Sequence, residues 1–295
     1  MSNNSVDLSI VIEMMRPKNI ILGAITVPIG ALIAVGLDII NQPEILALST
    51  LCVVLFMGQA NMINDINDYK IDKKSHPTRA IPSGKISIEN ARSYRNIMLG
   101  CSVFFAILSS YFQYRNFDFE TSVMSIIIFL FAYLSIEAYE RRFKQSGFIG
   151  NLLISVLVGL VLIYGAASVS GLDDLGLIYI GACAMFGNLA REMVKDCQDI
   201  EGDEGRETLP MRIGVEKTRM YAYVFVLASL VMLYMPYWQG PFQFNQLVIQ
   251  TPVILMLITL NGKIMKGEDE IITERIRAAM LLALIGFVIT KMLGN

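Results

Sequence analysis

The sequence has few charged residues and very little histidine, tryptophan or cysteine. Of its 295 residues 17% are charged, and it contains one His, one Trp and four Cys. An average soluble domain is about 25% charged, so this composition argues against a single water-soluble globule. The cysteines show no metal-ligand spacing and are expected to be free thiols. The 24 Lys and Arg nearly balance the 26 Asp and Glu, which excludes a nucleic-acid binder that works through bulk positive charge.

Long apolar runs are what the sequence does contain. A helix needs about 20 residues to cross a hydrocarbon core of roughly 30 Å. Nine runs approach or exceed that length, at 19–37, 45–66, 94–113, 120–139, 148–169, 175–195, 217–237, 246–264 and 276–293. Helices are expected because backbone polar groups in lipid must be bonded within the segment. The sequence therefore predicts an all-α, multi-pass membrane protein of nine transmembrane helices.

Basic residues indicate which way these helices run. Nine spans place every Lys and Arg except Arg115 and Lys291 in the connections on one side of the membrane or in the span ends next to those connections. Cytoplasmic loops are enriched in Lys and Arg, so we expect a cytoplasmic N-terminus and a C-terminus outside the cell membrane. Residues 1–15 contain no Lys or Arg. They lack the basic start of a secretory signal, and a short interfacial helix is expected there.

Two clusters of acidic residues follow the second and sixth runs. The first, in NMINDINDYKID, comprises Asn61, Asn64, Asp65, Asp68 and Asp72. The second, in KDCQDIEGD, comprises Asp196, Asp199 and Asp203. Spacings of three and four residues place the members of each cluster on one face of a helix. Both clusters fall on the expected cytoplasmic side, where they can converge on one cavity.

Closely spaced carboxylates repel one another, and divalent cations would relieve that repulsion. Oxygen ligands without His or Cys indicate Mg²⁺ or Ca²⁺, and carboxylates completed by phosphate oxygens are typical of Mg²⁺. Nearby cations suited to phosphate are Lys73, Lys74, Arg79, Lys144, Arg191, Lys195 and Arg206. This set favours ionisation of an allylic diphosphate inside an apolar enclosure, followed by attack of an alcohol or an aromatic ring. A solvated acidic face and a cation transporter are the alternatives.

Several motifs resemble the UbiA superfamily of intramembrane prenyltransferases. Asn64-xxx-Asp68-xxx-Asp72 is similar to the first Asp-rich motif of that family, and Asp199-xxx-Asp203 to the second. The resemblance continues through Arg16-Pro17-Lys18-Asn19, DKKSHPTRAIPSG at 72–84, Gly150-Asn151 and REMVKDCQDIEGD at 191–203. It implies one membrane-embedded domain over 1–295, with a lateral opening to lipid and cytoplasmic loops at about 67–93 and 196–216 that cap the site.

The resemblance also implies roles for individual residues. Asp68, Asp72, Asp199 and Asp203 would be catalytic and, with Asn64, would hold Mg²⁺. Lys73, Arg79, Lys144, Lys195 and Asp196 would bind the substrate. Within the superfamily the chain is most similar to archaeal enzymes that transfer a geranylgeranyl group from its diphosphate to the hydroxyl of geranylgeranylglyceryl phosphate, a lipid-like acceptor. The alternative is an aromatic or tetrapyrrole acceptor, as in the quinone, chlorophyll or haem O branches.

Overall fold

A computed structural model describes residues 7–172, 175–200 and 207–294. Within these ranges nine helical segments are long and apolar enough to cross a membrane. They are Pro17–Asn41, Pro43–Asn67, Ile88–Asn116, Phe119–Arg141, Phe148–Ala167, Leu175–Gln198, Val215–Trp238, Phe244–Ile264 and Asp269–Gly294. Each matches one predicted run, which confirms the multi-pass architecture.

The α-helices are labelled in chain order. They are α1 (Leu8–Met15), α2 (Pro17–Val35), α3 (Pro43–Asn67), α4 (Tyr69–Ser75), α5 (Ile88–Asn116), α6 (Phe119–Arg141), α7 (Phe148–Ala167), α8 (Leu175–Gln198), α9 (Leu209–Ile213), α10 (Val215–Trp238), α11 (Thr251–Ile258), α12 (Leu260–Lys266) and α13 (Asp269–Gly294). Short 3₁₀ segments occupy Gly36–Asn41, Phe143–Gln145 and Phe244–Gln250.

The two long connections are shorter than predicted, because helices extend beyond their apolar parts. Residues 69–75 of the loop expected at about 67–93 form α4, and α5 begins at Ile88. Ser87 caps α5 by accepting a hydrogen bond from the Asn90 backbone N–H at 3.1 Å. In the connection expected at about 196–216, α8 continues to Gln198 and α10 begins at Val215.

The eighth span is broken, whereas one continuous helix was expected. A 3₁₀ segment precedes α11, which begins beside Pro252, and Thr259 separates α11 from α12. Proline has no N–H to continue a helical ladder and fits best in a first turn. Gln250, which is fully buried, donates to the Ala283 carbonyl at 3.2 Å and so ties the irregular backbone to α13.

Small residues bring the helices together. At the crossing of α2 and α7, a Cβ added at Gly30 would lie 2.1 Å from the Leu162 carbonyl oxygen, and one at Gly165 would lie 2.1 Å from that of Val27. The two backbones therefore touch directly, as small residues allow in membrane helices.

Two pairs of helices are joined by the same kind of buried contact, a hydrogen bond from a serine hydroxyl to a cysteine carbonyl. Between α3 and α5 the Ser102 hydroxyl donates to the Cys52 carbonyl at 2.9 Å. Between α8 and α10 the Ser229 hydroxyl donates to the Cys183 carbonyl, also at 2.9 Å. The bundle thus holds both acid-bearing helices, α3 and α8, by equivalent serine contacts.

Candidate active site

The first acidic cluster lies where α3 meets α4. Asp68 is the junction, yet its N–H bonds to the Asn64 carbonyl at 2.9 Å and its own carbonyl accepts from the Asp72 N–H at 2.8 Å. The i to i−4 pattern of an α-helix is therefore kept through the junction. Asp65, Asp68 and Asp72 are all buried. The predicted single face of carboxylates is thus present, turned toward the protein.

Asp72 is held by Arg79. The carboxylate is 4% exposed, and the Arg79 Nη1 lies 2.7 Å from both of its oxygens. The loop that carries Arg79 is anchored by Ala80, Ile81 and Ile86, which pack with Val11 and Met14 of α1. Arg79, which the sequence predicts as a phosphate-binding residue, therefore lies within the first acidic cluster, on a loop that packs against α1.

Asp68 shares a lysine with a second carboxylate. The Lys144 ammonium lies 2.9 Å from Asp68 and 3.1 Å from Glu140. The side chains of Lys144 and Glu140 are only 8% and 3% exposed. Glu140 also accepts hydrogen bonds from Asn67 at 2.9 Å and Asn64 at 3.4 Å. Lys144 is therefore part of the cluster, and Glu140 is a member that the sequence did not predict.

Asp65 is bound by Arg16 from the junction of α1 and α2. The Arg16 Nη2 lies 2.6 Å from Asp65 Oδ1. Arg16 has a left-handed backbone, with φ at +58°, and Pro17 follows it. Such a conformation is costly for a residue with a Cβ, and it is kept where neighbouring structure requires it. Arg16 is a second site residue whose role the spacing of residues could not reveal.

The second acidic cluster is described in part. Asp196 accepts a hydrogen bond from the Asn151 amide of α7 at 2.7 Å. Asp199 follows the last turn of α8 and is exposed, as is Lys195. Asp203 and Arg206 lie outside the described residues. Lys73 is exposed, and its ammonium lies over the Tyr69 ring, 4.8 Å from the ring centroid.

An apolar cavity of about 360 Å³ lies beside both acid-bearing helices. Asn61 of α3 and Arg191 of α8 line it, together with apolar side chains from α7, α10 and α13. Asn61 precedes Asp68 by seven residues and Arg191 precedes Asp199 by eight. At 1.5 Å per residue both acids lie about 10–12 Å further along their helices. We call this end of the bundle, defined by Asp68 and Asp199, the acidic end.

The donor atoms suit a hard divalent cation. Asp68, Asp72 and Asp199 offer only carboxylate oxygens, and Asn64 adds an amide oxygen, the ligand type that Mg²⁺ prefers. Across the ranges that the structure describes, no three Asp, Glu, His or Cys side chains form one metal-binding group. One or two carboxylates per ion, completed by phosphate and water, is the usual magnesium arrangement, so the residues present fit it. Their assignment as metal ligands remains a prediction.

Comparison with known proteins identifies the family. The model of the UbiA prenyltransferase family matches residues 24–289. The digeranylgeranylglyceryl phosphate synthase of Thermococcus sibiricus is 33% identical over 238 residues, 79% of either chain. That of Thermococcus gammatolerans is 29% identical over 97% of this chain and 100% of its own.

Solved structures agree with that relationship. A structure of digeranylgeranylglyceryl phosphate synthase superposes with a TM-score of 0.75 and 25% identity, over 97% of this chain and 98% of the other. A UbiA homologue from Archaeoglobus fulgidus bound to GPP and Mg²⁺ has the same fold, with a TM-score of 0.64 and 14% identity over 96% and 99% of the two chains. The chain therefore belongs to the UbiA prenyltransferase family and is a multi-pass membrane prenyltransferase.

Proposed function

We propose that the protein transfers a geranylgeranyl group from geranylgeranyl diphosphate to the hydroxyl of geranylgeranylglyceryl phosphate, with release of diphosphate. The product would carry the second ether bond of an archaeal membrane lipid. Relatives that match nearly the whole chain bear the name of this activity. The 25% identical solved structure does so as well.

The observation that carries the proposal is a set of buried carboxylate–cation pairs next to an apolar cavity. Asp68–Lys144 and Asp72–Arg79 lie at the acidic end, beyond the cavity. The cavity walls are apolar enough to take an isoprenoid chain and to keep water from a carbocation. Lipid-like substrates would reach such a site without leaving the membrane.

We propose that Asn64, Asp68, Asp72, Asp199 and Asp203 hold Mg²⁺. When bound, the metal would neutralise the charge that grows on the departing diphosphate. A homologue with the same fold has been solved with GPP and Mg²⁺ bound, which supports this choice of cofactor.

Lys144 and Arg79 would exchange partners during substrate binding. Each now neutralises a buried carboxylate, at 2.9 and 2.7 Å. Once a metal neutralises those carboxylates, both cations become available for diphosphate oxygens, to which guanidinium and ammonium groups bind well. Glu140 keeps Lys144 at the site during that exchange, because it bonds the same ammonium at 3.1 Å. Lys195 and Asp196 would support the substrate from α8, and Lys73 from α4.

The proposal includes the placement of the chain. Residues 1–295 form one domain, with the N-terminus and the acidic end in the cytoplasm and the C-terminus outside. The segments around 76–87 and 199–208 would cover the site from the cytoplasm. The excess of Lys and Arg at that end supports this orientation.

An acceptor assay tests the proposal. Protein purified in detergent is incubated with geranylgeranyl diphosphate, Mg²⁺ and one of several acceptors. We expect an ether product with geranylgeranylglyceryl phosphate and none when EDTA replaces Mg²⁺. Product with an aromatic or tetrapyrrole acceptor, and none with the glyceryl phosphate, would overturn the choice of acceptor. Hydrolysis or transfer that is unaffected by EDTA would overturn the choice of cofactor.

A further inference from the structure

We propose that Arg277 and Arg191 form the binding site for the phosphate monoester of the lipid acceptor, at a side opening of the cavity. The inference rests on the proposed function, because it takes the acceptor to be a phosphorylated lipid alcohol. It assigns that phosphate to α8 and α13, apart from the carboxylates that serve the donor.

The cavity opens between α2 and α13. Asn19 on α2 and Arg277 and Leu281 on α13 line it, and all three are exposed. An exposed residue that also lines the cavity lies at its opening. Both helices belong to membrane-spanning segments, so a molecule entering here comes from the lipid.

Arg277 is a charge in the proposed cytoplasmic third of a membrane-spanning helix. It lies eight residues after the start of α13 and one helical turn beyond Glu274, and it makes no ion pair with any residue in the described part of the chain. Placing an arginine in a membrane helix is expensive, and such residues mark ligand pathways by default. The guanidinium therefore needs an anion, and the opening is where one would arrive.

Arg191 faces the same cavity from α8. Its Nη1 bonds Glu192 and lies 3.4 Å from the Asn188 amide oxygen, and all three residues line the cavity. Glu192 neutralises the Arg191 guanidinium. Because Arg277 also lines the cavity, the three charged side chains together have a net charge of one positive unit. Two guanidinium groups match the geometry of a phosphate, to which they bind in a bidentate manner.

The depth of the two arginines suits a lipid headgroup. Arg191 lies seven residues before the end of α8, and Arg277 eight residues after the start of α13. Both are about 10–12 Å from the acidic end, at 1.5 Å per residue. A phosphate at this height places the attached chain along the apolar wall and the glycerol hydroxyl between the arginines and the carboxylates.

The donor diphosphate is a poorer occupant. Two pairs of its proposed partners, Asp68 with Lys144 and Asp72 with Arg79, lie on α3, α4 and the segments that follow α4 and α6. Its other described partners, Lys195, Asp196 and Asp199, lie at or just beyond the end of α8, past Arg191, and none of these seven residues lines the cavity. A second cationic site on α8 and α13 keeps the two phosphorylated groups apart, which limits repulsion between them.

Steady-state kinetics of Arg277→Gln test the assignment. We expect the KM for geranylgeranylglyceryl phosphate to rise at least about tenfold, on the scale of one lost charge-assisted hydrogen bond, with the KM for geranylgeranyl diphosphate unchanged. Arg277→Lys should raise the acceptor KM less, because lysine keeps the positive charge but cannot donate two parallel hydrogen bonds to the phosphate as a guanidinium does. Arg275→Gln is the matched control on the same helix. Arg275 does not line the cavity, and the variant should keep both KM values.

A dephosphorylated acceptor provides the second arm. Wild-type protein should prefer geranylgeranylglyceryl phosphate to geranylgeranylglycerol, and Arg277→Gln should lose most of that preference. A rise in the donor KM instead, or an intact preference, would overturn the inference. A third measurement adds an anionic phosphodiester lipid to the micelles. If this lipid raises the acceptor KM of the wild type, and the wild type does not prefer the phosphorylated acceptor, the site binds bulk lipid and the inference is overturned. If wild type makes no ether product at all, the proposed function itself fails.

Discussion

Lys144 forms ion pairs with two buried carboxylates, so we expect its replacement to lower the free energy of unfolding. Asp68 and Glu140 lie 2.9 and 3.1 Å from its ammonium. Removing one partner of a buried ion pair costs about 3–5 kcal/mol, because the remaining charge is left uncompensated. We therefore expect Lys144→Gln to lower the free energy of unfolding by about that amount in metal-free buffer. Thermal unfolding in detergent, followed by circular dichroism, measures the change.

Glu140 supplies the control for that experiment. Adding Glu140→Gln to Lys144→Gln removes one of the two buried carboxylates that Lys144 neutralises, so the double variant should be more stable than Lys144→Gln alone. Mg²⁺ should stabilise Lys144→Gln more than it stabilises wild type, since a divalent cation can replace the missing charge. Additive effects of the two substitutions would show that Lys144 and Glu140 are not coupled.

Asp68 and Asp199 carry the proposed metal chemistry, one on each acid-bearing helix. Replacing either by Asn keeps the shape and removes the charge. We expect turnover to fall by at least about 10²-fold in each variant, on the scale of one lost electrostatic contact in a transition state. The rate of diphosphate release with saturating substrates is the measurement.

Asp38→Asn is the matched control for these variants. Asp38 is exposed and lies in the 3₁₀ segment Gly36–Asn41, at the other end of the bundle, and the control should keep wild-type turnover. Near-normal turnover of Asp68→Asn or Asp199→Asn would contradict the role of that carboxylate.

The sequence could predict the carboxylates of the site and only some of their partners. Spacing places Asp68 and Asp72 on one helical face without any knowledge of packing. Glu140 and Arg16 approach that face from other parts of the chain, so the spacing within the cluster cannot reveal them, and the motif that contains Arg16 gives it no partner. Lys73 illustrates a limit of spacing used alone. Adjacent helical residues point in different directions, and the burial of Asp72 leaves Lys73 in solvent.

At the scale of elements, hydropathy predicts the spans and misses their ends. A hydropathy window detects only the apolar part of a helix. The helix α5 begins at Ile88, six residues before the predicted start of its apolar run at 94. Caps such as Ser87 fix the true beginning. The break in the eighth span was equally hidden, because its three pieces together have the length and the mean hydropathy of one membrane-spanning helix.

The crossing of α2 and α7 gives a prediction at the same scale. A Cβ on Gly165 would lie 2.1 Å from the Val27 carbonyl oxygen, and backbone cannot move aside cheaply. We expect Gly165→Ala to lower the free energy of unfolding by about 1–3 kcal/mol or more, as overpacking does in a filled core. Thermal unfolding in detergent gives the difference from wild type.

Gly100→Ala is the matched control. Gly100 lies within α5, and a Cβ there would meet nothing within 4 Å. Alanine is favoured over glycine in a helix by about 1 kcal/mol, so this variant should be as stable as wild type or more so. Equal stability of Gly165→Ala and Gly100→Ala would contradict a direct backbone contact between α2 and α7.

At the scale of the whole molecule, the two acidic clusters occupy equivalent positions. Asp68 and Asp199 each follow the cysteine of the shared serine contact, Cys52 or Cys183, by 16 residues. Helices of equal length from equivalent anchors bring the two carboxylates to the same height. This equivalence places both acidic clusters at the same end of the bundle.

The orientation of that end in the membrane is the last testable consequence. Ser75 lies at the acidic end and Asn41 at the other, and both are exposed. Starting from Cys101→Ser, which removes the exposed native thiol, Ser75→Cys and Asn41→Cys are each treated with a membrane-impermeant maleimide on intact cells. The excess of Lys and Arg at the acidic end predicts labelling of Asn41→Cys only, and labelling of Ser75→Cys after permeabilisation. The reverse pattern would place the acidic end, and with it the proposed diphosphate site, outside the cell.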